Sequence, residues 1–437
     1  LPHTTDEIIK MLEEIGVENT DALFDRIPPA VRADKPLELD GPMDEMSLLR
    51  HLGGLADTNA PDGRLNFVGA GLYEHYVPSA VGHLLSRTEF YSAYTPYQPE
   101  VSQGTLQAMF EYQTMICRLL GTEATNASMY DGATAFAEAC LMARRIHRGR
   151  KNRIVLAGAI HPEYLEVLKT TLLDYDDAVQ HILPGSDGKV PTDELKNAMS
   201  GEVGALAVQS PNFFGIIEEL EEIAEIVHAD GGLLISVFAE ATAFGILNPP
   251  GAANADIVAG EGQPLGLPMN FGGPLLGILA TRKKYVRNMP GRLVGRTQDR
   301  NGEEGYVVTL STREQHIRRD RATSNICTNE GLCALNAAMY MALLGPEGLK
   351  TVAQASHGAA AALRTELCSI DGVCPVYPEA AFYNEFVLSL PTPAQPVLDE
   401  LADRKIAGGV ALSKFYSDRP NQLLVAATEL TSAEHIE

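Results

Sequence analysis

Short apolar segments alternate with amphipathic segments of helical length through the middle of the chain. The apolar runs predict strands, and the runs whose apolar residues recur every three or four positions predict helices. Regular alternation of this kind is typical of a mostly parallel, doubly wound sheet with helices on both faces. The predicted strands are 124–129, 153–157, 178–183, 204–209, 232–237, 256–258 and 275–281, and the predicted helices are 104–121, 134–147, 163–172, 192–200 and 217–229.

Two further helices are predicted ahead of this region. Thr4 and Glu7 have the spacing of a capping box, and apolar residues follow at helical spacing as far as Gly16. A second helix is predicted over 46–53. An apolar stripe on such short helices needs another surface to cover it. We therefore expect residues 1–65 to form a helical arm that lies across a neighbouring domain or subunit.

The regular alternation stops after residue 283. Residues 284–328 show no steady period and are predicted to be irregular. Apolar helices follow at 330–344 and 349–367, and the helix breakers Gly345 and Pro346 separate them.

A second, smaller α/β region is predicted toward the end of the sequence. Strand-like segments at 385–390 and 423–427 flank a helical segment at 396–401. We therefore expect a large α/β domain over residues 66–330 and a small C-terminal α/β domain over residues 331–437.

The composition fits a soluble protein with more than one packed domain. A chain of 437 residues that is 45% hydrophobic and 21% charged can bury sizeable cores. No apolar run reaches the roughly 18 residues of a membrane span, and the sequence does not open on a basic segment followed by an apolar one, so we expect a cytoplasmic protein without a membrane partner. The formal net charge of −23 argues against nucleic acid as a partner, because phosphates attract a basic face.

The six cysteines lack the paired short spacings of a zinc site, so no metal is expected. Their apolar surroundings predict core residues in a reducing compartment. They are Cys117, Cys140, Cys327, Cys333, Cys368 and Cys374.

Three short stretches follow predicted strands of the large sheet. Ligands of doubly wound sheets bind beyond the carboxyl ends of the strands, so these stretches are expected to share one edge. Gly132 and Thr134 open a helix, where glycine lets the backbone approach a phosphate and the helix start favours an anion. His161 and Asn212 follow later strands. An ordinary turn at Gly132 and a structural role for His161 are the alternatives.

Two irregular stretches have the composition of pocket walls. In the tyrosine loop, residues 91–104, prolines fix the backbone and tyrosines present rigid rings with hydroxyl tips. Residues 321–328 place hydroxyl and amide groups before an apolar helix, where Thr328 can act as the cap while its neighbours face an anion. Tyrosines that only pack against the core, and an ordinary helix cap, are the alternatives.

The stretch 255–277 resembles the strand, turn and glycine-rich loop at the centre of pyridoxal-phosphate enzymes of the aspartate-aminotransferase type. Such an enzyme carries the lysine that binds its cofactor in that turn. Here the turn, residues 261–266, reads E-G-Q-P-L-G, and no lysine occurs between Lys196 and Lys283. The sequence therefore predicts either an enzyme that lost its lysine or one half of an enzyme that keeps it on another chain.

Motifs along the whole chain resemble those of the glycine cleavage system P-protein family, and more narrowly its subunit 1, the N-terminal half in organisms that split the enzyme. The motifs are Y-T-P-Y-Q at 94–98, S-Q-G at 102–104, N-A-S at 126–128, D-G-A-T at 131–134, E-G-Q at 261–263, F-G-G-P at 271–274 and R-E-Q-H-I-R-R at 313–319.

The resemblance implies fold type I of the pyridoxal-phosphate-dependent transferases and an oxidoreductase role in glycine catabolism. In this family glycine loses carbon dioxide, and its aminomethyl group passes to the lipoyl arm of the H-protein. The lysine that binds pyridoxal phosphate belongs to subunit 2. The resemblance thus implies a subunit that is inactive alone and works in an αβ pair or a heterotetramer of two such pairs.

The resemblance also implies which residues reach the partner's active site. Tyr94, Tyr97 and Gln98 would line the glycine or cofactor face. Ser102, Gln103, Asn325 and Thr328 would contribute to the partner's cofactor site. Gly132, Thr134, His161 and Asn212 would be remnants of a pocket of this chain's own. Glu240 stands near the position where an active enzyme places an aspartate against the pyridine nitrogen.

Two other functions stay open on the sequence. One is an independent pyridoxal-phosphate enzyme that uses Lys283 or Lys284, for which a solvated basic turn is the simpler interpretation. The other is a lysine-free regulatory or structural pseudoenzyme that binds a partner without sharing its active site.

Overall fold

The computed structural model describes residues 3–33, 35, 37–59, 63–92, 94–173, 179–199, 201–269 and 272–437. Among the positions that the sequence predictions include, Ala93, Ala178, Ser200 and Phe271 lie outside these residues. The chain divides into two compact units, Leu1–Asp62 and Gly63–Glu437. Within the described residues, all of the β-structure belongs to the second unit.

The first unit contains the two predicted helices, α1 (Thr5–Ile15) and α2 (Glu45–Asn59). The capping box is confirmed, because the backbone N–H of Thr4 donates to the Glu7 carboxylate at 2.8 Å and that of Glu7 donates to the Thr4 hydroxyl at 3.3 Å. Helix α1 ends at Gly16, whose φ of 81° is a left-handed conformation that glycine adopts without strain. Helix α2 extends beyond the predicted 46–53.

The second unit is an α/β structure whose elements follow the predicted alternation. Its helices are α3 (Ser79–Leu85), α4 (Thr88–Tyr91), α5 (Gln103–Leu120), α6 (Gly132–Ile146), α7 (Pro162–Thr171), α8 (Thr192–Ala198), α9 (Leu220–Ala229), α10 (Gln315–Arg318), α11 (Gly331–Leu367), α12 (Ala394–Asp403) and α13 (Ala433–Ile436). Its strands are β1 (Leu65–Asn66), β2 (Ala124–Thr125), β3 (Arg153–Ala157), β4 (Val179–Ile182), β5 (Val203–Gln209), β6 (Leu233–Phe238), β7 (Ile257–Glu261), β8 (Gly277–Thr281), β9 (Leu293–Gln298), β10 (Glu304–Thr309), β11 (Cys374–Pro375), β12 (Glu385–Ser389), β13 (Ile406–Ala407), β14 (Val410–Ala411) and β15 (Gln422–Ala426).

A seven-stranded sheet in the order β2-β8-β7-β6-β5-β3-β4 forms the centre of this unit. Pairs within β7-β6-β5-β3-β4 are parallel, and β8 is antiparallel to both of its neighbours. Every residue of β5, β6, β7 and β8 is buried, as expected for strands that are covered on both faces. The predicted mostly parallel, doubly wound sheet is confirmed.

Two hydrophobic cores cover the two faces of this sheet. Tyr112 of α5 and Phe238 of β6 belong to the core on one face, which also receives the first half of α11. Phe136 and Met142 of α6 belong to the core on the other face. Residues of one strand alternate between the two cores, so the helices pack closely against both faces of the sheet.

The prediction that residues 284–328 are irregular is wrong. Strands β9 and β10 pair antiparallel over six residues each. Asp299 closes their turn, since its carboxylate accepts from the backbone N–H groups of Asn301 and Glu303 at 2.7 and 2.9 Å. The prediction for 124–129 is also too long, because the backbone N–H of Ala127 donates to Arg292 of the hairpin at 2.8 Å instead of to β8.

Helix α11 joins the two helices that were predicted on either side of Gly345. The chain continues through a kink at Gly345, whose φ of 61° lies outside the helical region. Within the described residues it is the one helix that is long and apolar enough, by length and composition alone, to cross a membrane. Its contacts with α5 and burial of Tyr340 and Ala353 give it the character of a core helix.

A second sheet, in the order β11-β12-β15-β14, is antiparallel and lies with α12 in the C-terminal region. Strand β1 pairs in parallel with β13, so the segment that opens the second unit packs with the C-terminal elements. The domain boundaries at 65/66 and 330/331 stay predictions.

The prediction that all six cysteines are core residues is wrong for part of the set. Cys140 and Cys333 are buried, Cys117 and Cys368 are half-buried, and Cys327 and Cys374 are exposed. All six are free thiols.

Candidate functional site

Helix α6 begins at the carboxyl edge of the large sheet with Asp131 as its N-cap. The Asp131 carboxylate accepts from the backbone N–H of Thr134 at 2.7 Å, and the Thr134 hydroxyl accepts from that of Asp131 at 3.2 Å. Thr134, which was predicted to belong to a remnant pocket, therefore caps its own helix. The backbone N–H of Gly132, at the same helix start, donates outside the helix.

Glu261 occupies the anion position that this helix start creates. Its carboxylate accepts three backbone hydrogen bonds, from Gly132 at 2.9 Å, Gln263 at 2.8 Å and Leu276 at 3.0 Å. The residue is 1% exposed. Burial raises the pKa of Glu261 to about 7, although the three N–H donors act in the opposite direction.

His161 is held as a neutral, structural side chain at the same edge. Its Nε2 donates to the carbonyl of Ala70 at 2.8 Å, and its Nδ1 accepts from the backbone N–H of Glu163 at 3.2 Å. The ring stacks on Tyr164 with 4.8 Å between centroids. Burial lowers the pKa of His161, which agrees with a single ring proton.

Asn212 has all of its polar atoms engaged in the loop after β5. Its Nδ2 donates to the carbonyl of Gly188 at 3.0 Å and to the Glu218 carboxylate at 2.8 Å. Its Oδ1 accepts from the backbone N–H groups of Phe214 and Ile216. The predicted pocket residue therefore stabilises a loop.

Residues 67–76, here called the plug segment, fill the cleft at this edge. Gln263 clamps the segment, since its amide accepts from the backbone N–H of Tyr73 at 3.0 Å and donates to the carbonyl of the same residue at 2.9 Å. A Cβ on Gly71 would lie 2.6 Å from Nε2 of His161, so only glycine lets the backbone lie this close to the imidazole.

A buried ion triad fixes the far end of the plug segment. His75 donates from Nε2 to Glu240 at 2.9 Å and from Nδ1 to Glu429 at 2.7 Å. Burial lowers the pKa of His75, but the two carboxylates outweigh it and raise that pKa to about 10, so the imidazole is charged. Glu240 also accepts from the backbone N–H and the hydroxyl of Thr242. Both of its carboxylate oxygens are therefore engaged within the protein.

These residues do not fit pyridoxal phosphate. An enzyme of the aspartate-aminotransferase type, which the stretch 255–277 resembles, holds the phosphate of the cofactor at the helix start and binds the cofactor ring through a lysine in the turn. Glu261 already fills the first position, and Gln263 and the plug segment fill the second. The alternative lysines lie elsewhere, because Lys284 is 3.8 Å from Asp256, which precedes β7 at the opposite edge of the sheet.

The tyrosine loop lies on a different face, beside the start of α11. A cavity of about 240 Å³ opens there. Its walls include Tyr94, Thr95, Arg292, Thr328, Asn329 and Leu332, and we call it the tyrosine-face cavity. The structure thus brings Tyr94 and Thr328, which are distant in sequence, to the wall of one cavity.

Arg292 lines this cavity and connects several of its neighbours, and the sequence interpretation did not single it out. Its guanidinium donates to the Tyr97 hydroxyl at 2.8 Å and to Oδ1 of Asn329 at 3.3 Å. Its Nε lies 3.8 Å from the carboxylate of Glu314, and both side chains are almost completely buried. Because Glu314 balances the charge, Arg292 acts as an organiser of neighbours rather than as a free anion site.

The other predicted residues of this face are arranged less uniformly. Gln103 clamps the tyrosine loop to β10, since its amide donates to the carbonyl of Tyr306 at 2.9 Å and accepts from its backbone N–H at 2.9 Å. Gln98 and Asn325 are exposed, and Ser102 is half-buried. Thr328 does not cap α11, because Glu330 is the N-cap residue, so that prediction is wrong.

Three buried carboxyls should titrate near neutral pH. Burial raises the pKa values of Glu218, Glu261 and Glu385 to about 7. A folded pKa above the unfolded value of 4.5 means that these groups favour the folded state most below pH 4.5, and that this contribution falls as pH rises to about 7. We expect an infrared band of protonated carboxyl at pH 6 that disappears by pH 9. Each single Glu→Gln variant should remove roughly one third of it, and an unchanged band in all three variants would contradict the assignment.

The fold defines the class of protein. A solved alanine–glyoxylate aminotransferase from Nostoc sp. shares it with a TM-score of 0.59 at 16% identity, over 85% of this chain and 92% of that one. A solved NifS-like protein shares it with a TM-score of 0.63 at 15% identity, over 85% and 96%. The second unit thus has fold type I of the pyridoxal-phosphate-dependent transferases.

The sequence comparisons identify one family within this fold. The model of the glycine cleavage system P-protein matches residues 1–437. A probable glycine dehydrogenase (decarboxylating) subunit 1 from Azorhizobium caulinodans is 48% identical over 99% of this chain and 96% of that protein. A crystal structure of glycine decarboxylase (P-protein) in inhibitor-bound form matches with a TM-score of 0.90 at 45% identity, over 100% and 97%. The chain belongs to the glycine cleavage system P-protein family.

Proposed function

We propose that this chain is subunit 1 of the glycine decarboxylase of the glycine cleavage system. With a lysine-bearing subunit 2 it decarboxylates glycine and passes the aminomethyl group to the lipoyl arm of the H-protein. The observation that carries the proposal is the contrast between two sites. The chain's own cofactor pocket is filled, whereas the tyrosine-face cavity is open and lined by polar and aromatic groups.

The cofactor in this assignment belongs to subunit 2. There pyridoxal phosphate supplies the electron-accepting ring that decarboxylation of an amino acid requires. The lysine-free turn at residues 261–266 and the filled anion position support this division. Relatives such as that from Azorhizobium caulinodans are bacterial, and we assign the chain to the cytoplasm.

The tyrosine-face cavity is the part of this chain that we assign to the shared active site. Tyr94 is 82% exposed and Tyr97 is 53% exposed, so both rings are available to a partner. Exposed aromatic residues around a pocket are typical of protein interfaces. Tyr94, Tyr97 and Gln98 face the substrate, and Ser102, Asn325 and Thr328 face the partner's cofactor.

Two side chains in this region position others. Arg292 holds the Tyr97 hydroxyl, and Gln103 holds the tyrosine loop on β10. Gln103 was expected to contact the cofactor, and it can do so only in addition to its bonds with Tyr306. We therefore assign to Arg292 and Gln103 the role of positioning residues.

Replacing Tyr97 with phenylalanine tests the shared site. Loss of the hydroxyl removes a charge-assisted hydrogen bond, and we expect glycine-dependent exchange of carbon dioxide by the two-subunit enzyme to fall about tenfold. Tyr91→Phe is the matched control, because Tyr91 belongs to the same loop and is 70% exposed, whereas the hydroxyl that Arg292 holds is that of Tyr97. Exchange is measured with labelled bicarbonate, H-protein and both subunits, and subunit association by gel filtration.

The same measurement separates the alternative function. A regulatory pseudoenzyme predicts normal exchange in Tyr97→Phe with intact subunit association. A shared active site predicts reduced exchange with intact association.

A further inference from the structure

We infer that Glu261 is a built-in replacement for the phosphate of the cofactor, and that its carboxylate keeps this chain's own pocket closed to pyridoxal phosphate. The inference concerns a pocket separate from the tyrosine-face cavity. It holds whether or not this chain shares an active site with a partner.

The hydrogen bonds of Glu261 are those of a bound anion. Its three donors are backbone N–H groups from three segments, namely the start of α6, the turn after β7 and the loop before β8. Convergent backbone N–H groups at a helix start form a site for phosphate or carboxylate. A side chain 129 positions away from Gly132 in sequence fills this site from inside the protein.

Neighbouring side chains leave no room for a second anion. A Cβ on Gly132 would lie 2.2 Å from the Tyr164 hydroxyl, so the space above the helix start is already packed. Asp131 lies close enough to raise the pKa of Glu261 further. A phosphate dianion would therefore meet two carboxyl groups and a closed surface.

The plug segment depends on the same residue. The backbone N–H of Gln263 donates to Glu261, and the Gln263 side chain clamps Tyr73. Glu261 thus links the filled anion position to the plug segment, which occupies the space where a related enzyme has its cofactor-binding lysine. Removing its carboxylate should expose three N–H donors to any small anion that can enter.

Anion rescue of Glu261→Ala tests the inference on the full chain without subunit 2. We expect this variant to unfold at a lower temperature than the wild type. Inorganic phosphate and pyridoxal phosphate should each raise its unfolding temperature by about 2 °C or more, at equal ionic strength set with chloride. Pyridoxal, which lacks the phosphate, should not.

Glu218→Ala is the matched control. Glu218 is also a buried glutamate whose pKa burial raises to about 7, but it accepts from Val190 and Asn212, away from the start of α6. Phosphate should stabilise neither this variant nor the wild type. Stabilisation of the wild type by pyridoxal phosphate, or an equal effect of phosphate on both variants, would overturn the inference.

A refolding experiment tests the same inference if the Glu261→Ala variant is not obtained in soluble form. If Glu261→Ala accumulates insoluble, its refolding yield in phosphate is compared with that in chloride. A higher yield in phosphate for Glu261→Ala than for Glu218→Ala supports the inference, and equal yields count against it.

Discussion

Arg292→Met should lower glycine-dependent carbon dioxide exchange of the two-subunit enzyme by about 100-fold. Arg292 holds both the Tyr97 hydroxyl and Asn329, so its loss frees Asn329, which lines the tyrosine-face cavity, and the ring of Tyr97 at the same time. It also takes from Glu314, which is 7% exposed, its buried cationic partner and leaves His316, at 3.6 Å, beside the carboxylate. Losing one partner of a buried pair is costly, and we expect a lower unfolding temperature as well.

Activity and stability must therefore be separated for this variant. Arg292→Lys keeps the positive charge beside Glu314 but cannot hold Tyr97 and Asn329 with one planar fork. We expect it to recover most of the lost stability and little of the lost kcat. Kinetics with saturating H-protein and urea unfolding of the same preparations make this comparison. Full recovery of kcat by lysine would show that charge alone matters.

The control for this prediction lies four residues further along the chain. Arg296 of β9 forms an exposed ion pair with Glu304 at 3.2 Å, outside the cavity. Arg296→Met should change exchange by less than about twofold, since exposed ion pairs contribute little. A similar loss in both variants would mean that the hairpin as a whole, rather than the Arg292 contacts, supports activity.

A double variant decides whether Arg292 acts through Tyr97. If the guanidinium mainly positions the hydroxyl, Tyr97→Phe should reduce carbon dioxide exchange little further in a protein that already carries Arg292→Met. The combined loss should then be clearly smaller than the product of the two single losses. Independent effects, in which the two losses multiply, would assign Arg292 a separate role.

Local pattern was sufficient for the elements of the large sheet. Strand β3 begins and ends where its apolar run does, and helix α1 begins at the predicted capping box. These elements depend on residues that are close in sequence, so periodicity and capping chemistry determine them. The hairpin β9–β10 escaped prediction because most of its residues are exposed or half-buried, and charged residues such as Arg296 and Glu304 hide its alternation.

The sites depend on contacts that no short window contains. Glu261 in the sequence marked only a turn without lysine, because its donors Gly132 and Leu276 are supplied by distant segments. Arg292 was one of eight arginines between residues 284 and 328. Its burial, which distinguishes it from Arg296, arises from packing with Tyr97 and is not encoded in its neighbours. Grouping the tyrosine loop with Thr328 required the family resemblance.

Gly215→Ala should destabilise the chain by about 3–5 kcal/mol, the largest effect that we expect for a single added methyl group. Gly215 has a φ of 81°, and a Cβ there would lie 1.8 Å from the carbonyl oxygen of Glu385 in β12. The loop after β5 and strand β12 therefore have to move apart. Because Glu385 accepts from Ala70 and Tyr73 of the plug segment, this movement also loosens the filled pocket.

Gly149→Ala separates steric overlap from backbone strain. Gly149 has a φ of 74° with no atom within 4 Å of the added methyl group, so only the left-handed conformation is penalised, at about 1 kcal/mol. Urea unfolding of both variants measures the difference. A similar loss in both would mean that β12 yields easily to the loop, and that the tight contact at Gly215 does not hold the small sheet against the large domain. A much greater loss for Gly215→Ala would make that contact part of what keeps the plug segment in place.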